Sequence, residues 1–104
     1  MSLVIETMMT MTCHWIQINR VKKARGEETK EVDKGEIPCW INKNAHIYVQ
    51  ENNNYIKVPA QQFILNKDIE VKVGDKLNGM IVTEVVEIND FDGSIDHYEV
   101  KARA

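Results

Sequence analysis

Five cysteine and histidine side chains in this sequence could ligate a metal: Cys13, His14, Cys39, His46 and His97. Together they supply the ligand types of a structural zinc site, but such sites present paired ligands two to four residues apart. Cys13 and His14 are adjacent, and neighbours on a strand point to opposite faces. The set reads as packed cysteines and surface histidines, so no metal or other cofactor is expected. A calcium loop is the next arrangement to weigh, in "INDFDGSIDHYE". With Gly93 at the sixth place of an EF-hand loop, Asp90, Asp92 and Glu99 fall at liganding places. Ile88 then fills the first, which needs an oxygen, and the flanks read as strands rather than helices. Nucleophiles are scarce. Ser2 and Ser94 are the only serines, and neither sits in a nucleophile elbow. Cys39 with His46 or His14 as base is the one pair available, yet beside Trp40 and after Ile37-Pro38 it reads as a small packed hydrophobe. No enzymatic activity is expected.

The elements that would position these residues are strands. "TCHWIQI" alternates Cys13 and Trp15 against His14, Ile16 and Ile18. "AHIYV" sets Ala45, Ile47 and Val49 on one side, and "YIKVPAQ" sets Ile56, Val58 and Ala60 on one side. "MIVTEVVEI" is rich in β-branched residues, and "IDHYEVKA" aligns Tyr98, Val100 and Ala102. This period of two is the mark of a half-buried strand. Pro59 cannot donate to a ladder, which makes its segment an edge or a bend. A helical period is weak and confined to "PAQQFILNKD", where at most one short helix is expected. Asn52, Asn53 and Asn54 tolerate the left-handed backbone of a tight hairpin. Gly74-Asp75, with Gly79 behind it, and Asp92-Gly93 mark further turns.

With 104 residues there is room for one domain, 1–104, with an N-terminal arm over 1–11. The expected fold is all-β, a small barrel or sandwich of five to six short antiparallel strands with a long charged loop. Its expected core is built on Ile56, Val58, Val82, Val85, Tyr98 and Val100. The start "MSLVIETMMTMT" lacks a basic segment and is interrupted by Glu6, so no secretory signal is expected. No apolar run reaches the ~20 residues of a membrane-spanning helix. Two cysteines without CxxC spacing suggest reduced thiols in a cytosolic setting.

Residues 22–36, "KKARGEETKEVDKGE", hold Lys22, Lys23, Arg25, Lys30 and Lys34 against five acids. So little apolar surface predicts a mobile loop, and loops of this length usually serve a function or are disordered. Its five cations are candidate contacts for a partner or channel, and Asn52, Asn53 and Asn54 form the competing contact tip. A nucleic-acid module would instead use Trp15, Trp40, Tyr48, Tyr55 and Phe63 as stacking platforms on an OB-like barrel. The net charge of −3 opposes that, because an electrostatic funnel needs a basic excess.

The order of these features resembles the head-closure proteins of tailed bacteriophages, the stopper or minor capsid components of the head–tail connector. The likeness rests on an early "TCHW" strand, the charged segment, "IPCW" and a polar-tipped hairpin. It continues with "VKVGDKLNG" ahead of "MIVTEVVEI" and the terminal "HYEVKARA", and it runs from about Thr12 onward. The short N-terminal arm and the Pro59 strand depart from it. What the resemblance implies is a structural virion protein, made in the host cytoplasm, that forms a homo-oligomeric ring below portal and adaptor. Such a ring helps retain packaged DNA, contacts it non-specifically, and docks tail-side neck proteins, without a membrane.

Overall fold

The computed structural model describes residues 9–104. The first eight residues of the expected N-terminal arm lie outside that range, and Met11 opens the first strand. Six strands follow: β1 (Met11–Lys23), β2 (Gly26–Glu51), β3 (Asn54–Asn66), β4 (Lys76–Leu77), β5 (Met80–Asn89) and β6 (Ile95–Arg103). All pair antiparallel and close into a barrel in the order β1-β2-β3-β6-β5-β4. Of the small all-β barrel or sandwich expected from the period-two runs, the fold is the barrel. There is no helix among the described residues, and the stretch with weak helical period lies mostly in β3.

Turn chemistry fixes the registers. Glu51 pairs with Asn54, and the two residues between them, Asn52 and Asn53, have φ of 50° and 64°. That is the type I′ geometry whose twist matches its strands. Asn78 and Gly79, at φ of 51° and 78°, make a second such turn between Leu77 and Met80.

Inside the barrel lie Cys13, Trp15, Ile37, Cys39, Phe63, Leu65, Val71, Leu77, Val82, Tyr98, Val100 and Ala102. Val85 packs against this cluster. Ile56 and Val58, expected in the core, do not join it: Ile56 is 44% exposed and Val58 half-buried. Both lie where β3 has left the barrel and pairs with β2 alone, since β6 joins β3 only from Gln61 onward.

The charged segment over 22–36 is also not a loop. It runs from the tip of an antiparallel ribbon down its β2 side to the barrel, with β1 and β2 paired out to Lys23 and Gly26 across a turn of Ala24 and Arg25. Low burial does not leave the segment unfolded, because the barrel has already aligned these strands. Each further pair then adds ladder hydrogen bonds without the cost of closing a new loop. Cross-strand charge adds to this, with Lys22 opposite Glu27 and Lys23 ion-paired to Glu28.

β2 is therefore the organising strand. Its 26 residues would span roughly 80 Å if straight, yet the longest dimension of the protein is 47 Å. It bends where the register shifts, at Lys34 beside Gly35 (φ 78°) and across Lys43 and Asn44. Beyond each bulge it leaves the barrel as one strand of an arm. The radius of gyration, 15.2 Å, exceeds the ~13 Å of a compact chain of this length.

Candidate functional site: two hairpin arms

Arm 1 is the β1–β2 ribbon outward from Ile16 and Asp33. Asp75 secures its base. This carboxylate is 2% exposed, on the turn that leads into β4. It accepts hydrogen bonds from Trp15 Nε1 at 3.0 Å, the Ile18 amide at 3.0 Å and the Lys72 amide at 3.1 Å. β4 pairs with β1 only at Trp15 and Ile16, so Asp75 takes over the edge of β1 where the β4 ladder stops.

Further contacts brace the same region. His14 lies 2.7 Å from Asp33 and 3.3 Å from Glu36, and Lys76 is 3.0 Å from Glu31. Lys34, the extra residue of the bulge, sits 5.8 Å from the Trp15 ring centroid, within cation–π reach. Of the five cations expected to act together, Lys34 is thus at the base of the arm. Lys22, Lys23 and Arg25 are at its tip, and Lys30 faces Asn19 partway along.

Arm 2 is the β2–β3 hairpin outward from Ala45 and Ala60. Residues paired directly across an antiparallel ladder share a face. Ala45/Ala60, Ile47/Val58 and Val49/Ile56 accordingly make one face wholly apolar, up to Glu51/Asn54 at the tip. The other face carries His46/Pro59, Tyr48/Lys57 and Gln50/Tyr55. Tyr48 and Tyr55 are 64% and 72% exposed, and His46 meets Tyr48 edge-on at 5.4 Å. Where the arm leaves the wall, a groove of about 490 Å³ opens between His46, Ile47 and Tyr48 and the β5–β6 residues Thr83, Glu84 and Lys101.

The metal-type residues are dispersed. Cys13 and Cys39 are buried free thiols inside the barrel, His46 is on arm 2, and His97 is 2.7 Å from Asp96 on β6. Among the described residues no group of three or more such side chains could hold an ion. The hydrogen bond between the two thiols, together with burial, raises the Cys13 pKa far above its ordinary value, and the same bond lowers that of Cys39. In the acidic β5–β6 turn, Asp92 binds the Ser94 hydroxyl at 2.6 Å, which lowers its pKa. Asp92 acts there as a turn-former.

Two buried polar features escaped the sequence reading. Asp75 was visible only as half of a Gly-Asp turn, and nothing local says that its carboxylate turns inward. The Asp96–His97 pair lies where the β5–β6 register shifts, between the Ile88/His97 and Asn89/Ile95 pairs. No family model, no curated protein and no solved structure matches the chain.

Proposed function

We propose that this chain is a structural ring subunit of a tailed-phage or prophage virion. It acts as a head-closure component that holds packaged DNA behind the portal and adaptor and docks the tail-side neck proteins. The observation that carries this reading is arm 2, an apolar face on a ribbon projecting from a closed barrel. A projecting face of Ile47, Val49, Ile56 and Val58 gains burial by lying against another protein, as an assembly subunit does. The barrel supplies a rigid body and the two arms supply reach. An overall charge of −3 suits a wall past which DNA must move without sticking.

The test is imaging of the purified chain mixed with its portal and adaptor. A ring seated below the adaptor is expected, and its loss is expected when Ile56 and Val58 are both changed to Ser. Tight single-strand binding with a steep salt slope, and no ring on the adaptor, would instead support a barrel of the nucleic-acid class.

A further inference from the structure

Arm 1 sorts its charge by strand. On one face of the ribbon β1 contributes Ile16, Ile18, Arg20 and Lys22, while β2 contributes Asp33, Glu31, Thr29 and Glu27 opposite them. Every charge from β1 on that face is positive and every charge from β2 is negative. Over 16–25, β1 and its turn carry Arg20, Lys22, Lys23 and Arg25 and no acid.

The backbone of this same set points outward. The Ile18 amide is bound by Asp75 on the side away from β2, so Ile18 and Glu31 form a non-hydrogen-bonded pair of the hairpin. Alternation then gives the same status to Arg20/Thr29 and Lys22/Glu27. Their N–H and C=O groups face out along both borders of the ribbon. β4 stops at Ile16, and β3 joins β2 only from Cys39. Neither border of arm 1 therefore has a strand partner among the described residues. One open edge is basic, the other acidic.

We propose that arm 1 joins a second copy of this chain edge to edge, the β1 border of one copy pairing antiparallel with the β2 border of the next. Arg20 and Lys22 of one copy then stand beside Glu27, Thr29 and Glu31 of its neighbour. Like edges carry like charge, so β1–β1 and β2–β2 pairing are opposed and a two-fold dimer through either edge is disfavoured. Only the head-to-tail contact is complementary, and a heterologous contact of that kind generates a ring where the rotation between copies closes. Charge on an open strand ordinarily guards against pairing; here it selects the pairing allowed. The inference deepens the ring reading and rests on it.

The experiment uses the full chain with two paired substitutions, Arg20→Glu/Lys22→Glu and Glu27→Lys/Glu31→Lys. Self-association is followed by sedimentation at about 10 mM and about 1 M ionic strength, where the Debye length falls from ~30 Å to ~3 Å. Wild type should associate at low salt and lose that association at high salt. Each variant alone should associate at least tenfold more weakly, with an unchanged far-UV spectrum. An equimolar mixture of the two variants should regain association, because each altered edge meets a complementary one only on the other chain. A chain carrying all four changes should regain it too.

A mixture that stays dissociated overturns the proposal, as does a wild-type chain that is monomeric at its highest soluble concentration in low salt. So does loss of oligonucleotide binding by Arg20→Glu/Lys22→Glu with self-association intact, which would assign the basic edge to nucleic acid. Normal rings on the portal–adaptor complex from both single-edge variants would remove the edge pairing and leave the ring reading standing. An empty adaptor with wild type would remove the ring reading itself.

Discussion

Replacing Asp75 by Ala should be the most damaging single change of a polar residue in this protein. The substitution leaves three N–H donors without their acceptor: the Trp15 indole at 3.0 Å, the Ile18 amide at 3.0 Å and the Lys72 amide at 3.1 Å. A buried donor left unsatisfied costs about 1–3 kcal/mol. Three would cost roughly 3–9, less what is regained by no longer burying a carboxylate. We expect a net loss near 3–5 kcal/mol, against a total stability of about 5–15 for a domain. At roughly 4–8 °C per kcal/mol for a chain of this size, the melting temperature should fall by more than about 12 °C. Asp75→Asn should fall between, since its Oδ1 can still accept from Ile18 while its NH₂ meets the donors of Trp15 or Lys72. Thermal unfolding by circular dichroism gives the magnitude, and amide exchange at Ile18, Arg20 and Lys22 gives the location. A drop of less than about 4 °C, or unchanged exchange along β1, would refute the assignment of Asp75 as the clamp of arm 1.

Val82, 1% exposed in the barrel, should not tolerate Asp; an unpaired buried carboxylate exceeds what the fold can absorb, and the variant should lack a cooperative melt. Tyr98 has its pKa raised, first by burial and then by the Glu70 and Glu87 carboxylates. The unfolded chain therefore loses this proton first, so stability is level below about pH 10 and falls as pH rises through the folded value. Tyr98→Phe should flatten that alkaline limb in denaturant titrations. Cys13 and Cys39, each 0% exposed, should react with a thiol reagent at the rate of opening of the barrel, and wild-type labelling faster than unfolding would contradict their burial. Asn53→Gly should keep or slightly raise stability at φ 64°, whereas Asn53→Val should cost about 1–2 kcal/mol by urea titration.

Much of the barrel was legible because its strands are half-buried and alternate. Cys13 and Trp15, and Tyr98, Val100 and Ala102, point inward as their spacing says. The misplaced core residues, Ile56 and Val58, share one cause. Periodicity tells which residues of a strand share a face, but not whether that part of the strand still lies in the barrel. Ile56 and Val58 alternate as well as Val82 does, yet β6 reaches β3 only at Gln61, and that boundary is a tertiary fact. The charged segment failed in the opposite direction, since its composition reads as unfolded. The order of its charges was nonetheless informative: basic residues precede Arg25-Gly26 and mostly acidic ones follow, which is the pattern of a hairpin folding on itself. Asp75 had no such signal, because two of its three donors come from Trp15 and Ile18, far away in sequence.

The division between barrel and arms also sets where this protein can change shape. Nearly every fully buried side chain belongs to the barrel, whereas arm 1 beyond Asn19 has none. Its ribbon is held by its own ladder, by Lys23–Glu28, and at the base by Asp75 and the Glu31–Lys76 pair. Exposed ion pairs contribute about 0–1 kcal/mol, and a lone two-stranded hairpin is marginal in water. Local opening of the arm should therefore cost far less than unfolding the barrel. Two added strands, one on each border, would place the ribbon inside a sheet and satisfy the outward backbone groups of Arg20, Lys22, Glu27 and Thr29. Edge pairing and ordering of the arm are then one event, and amide protection at Arg20 and Lys22 should rise with self-association while protection at Val82 and Val100 stays as it was.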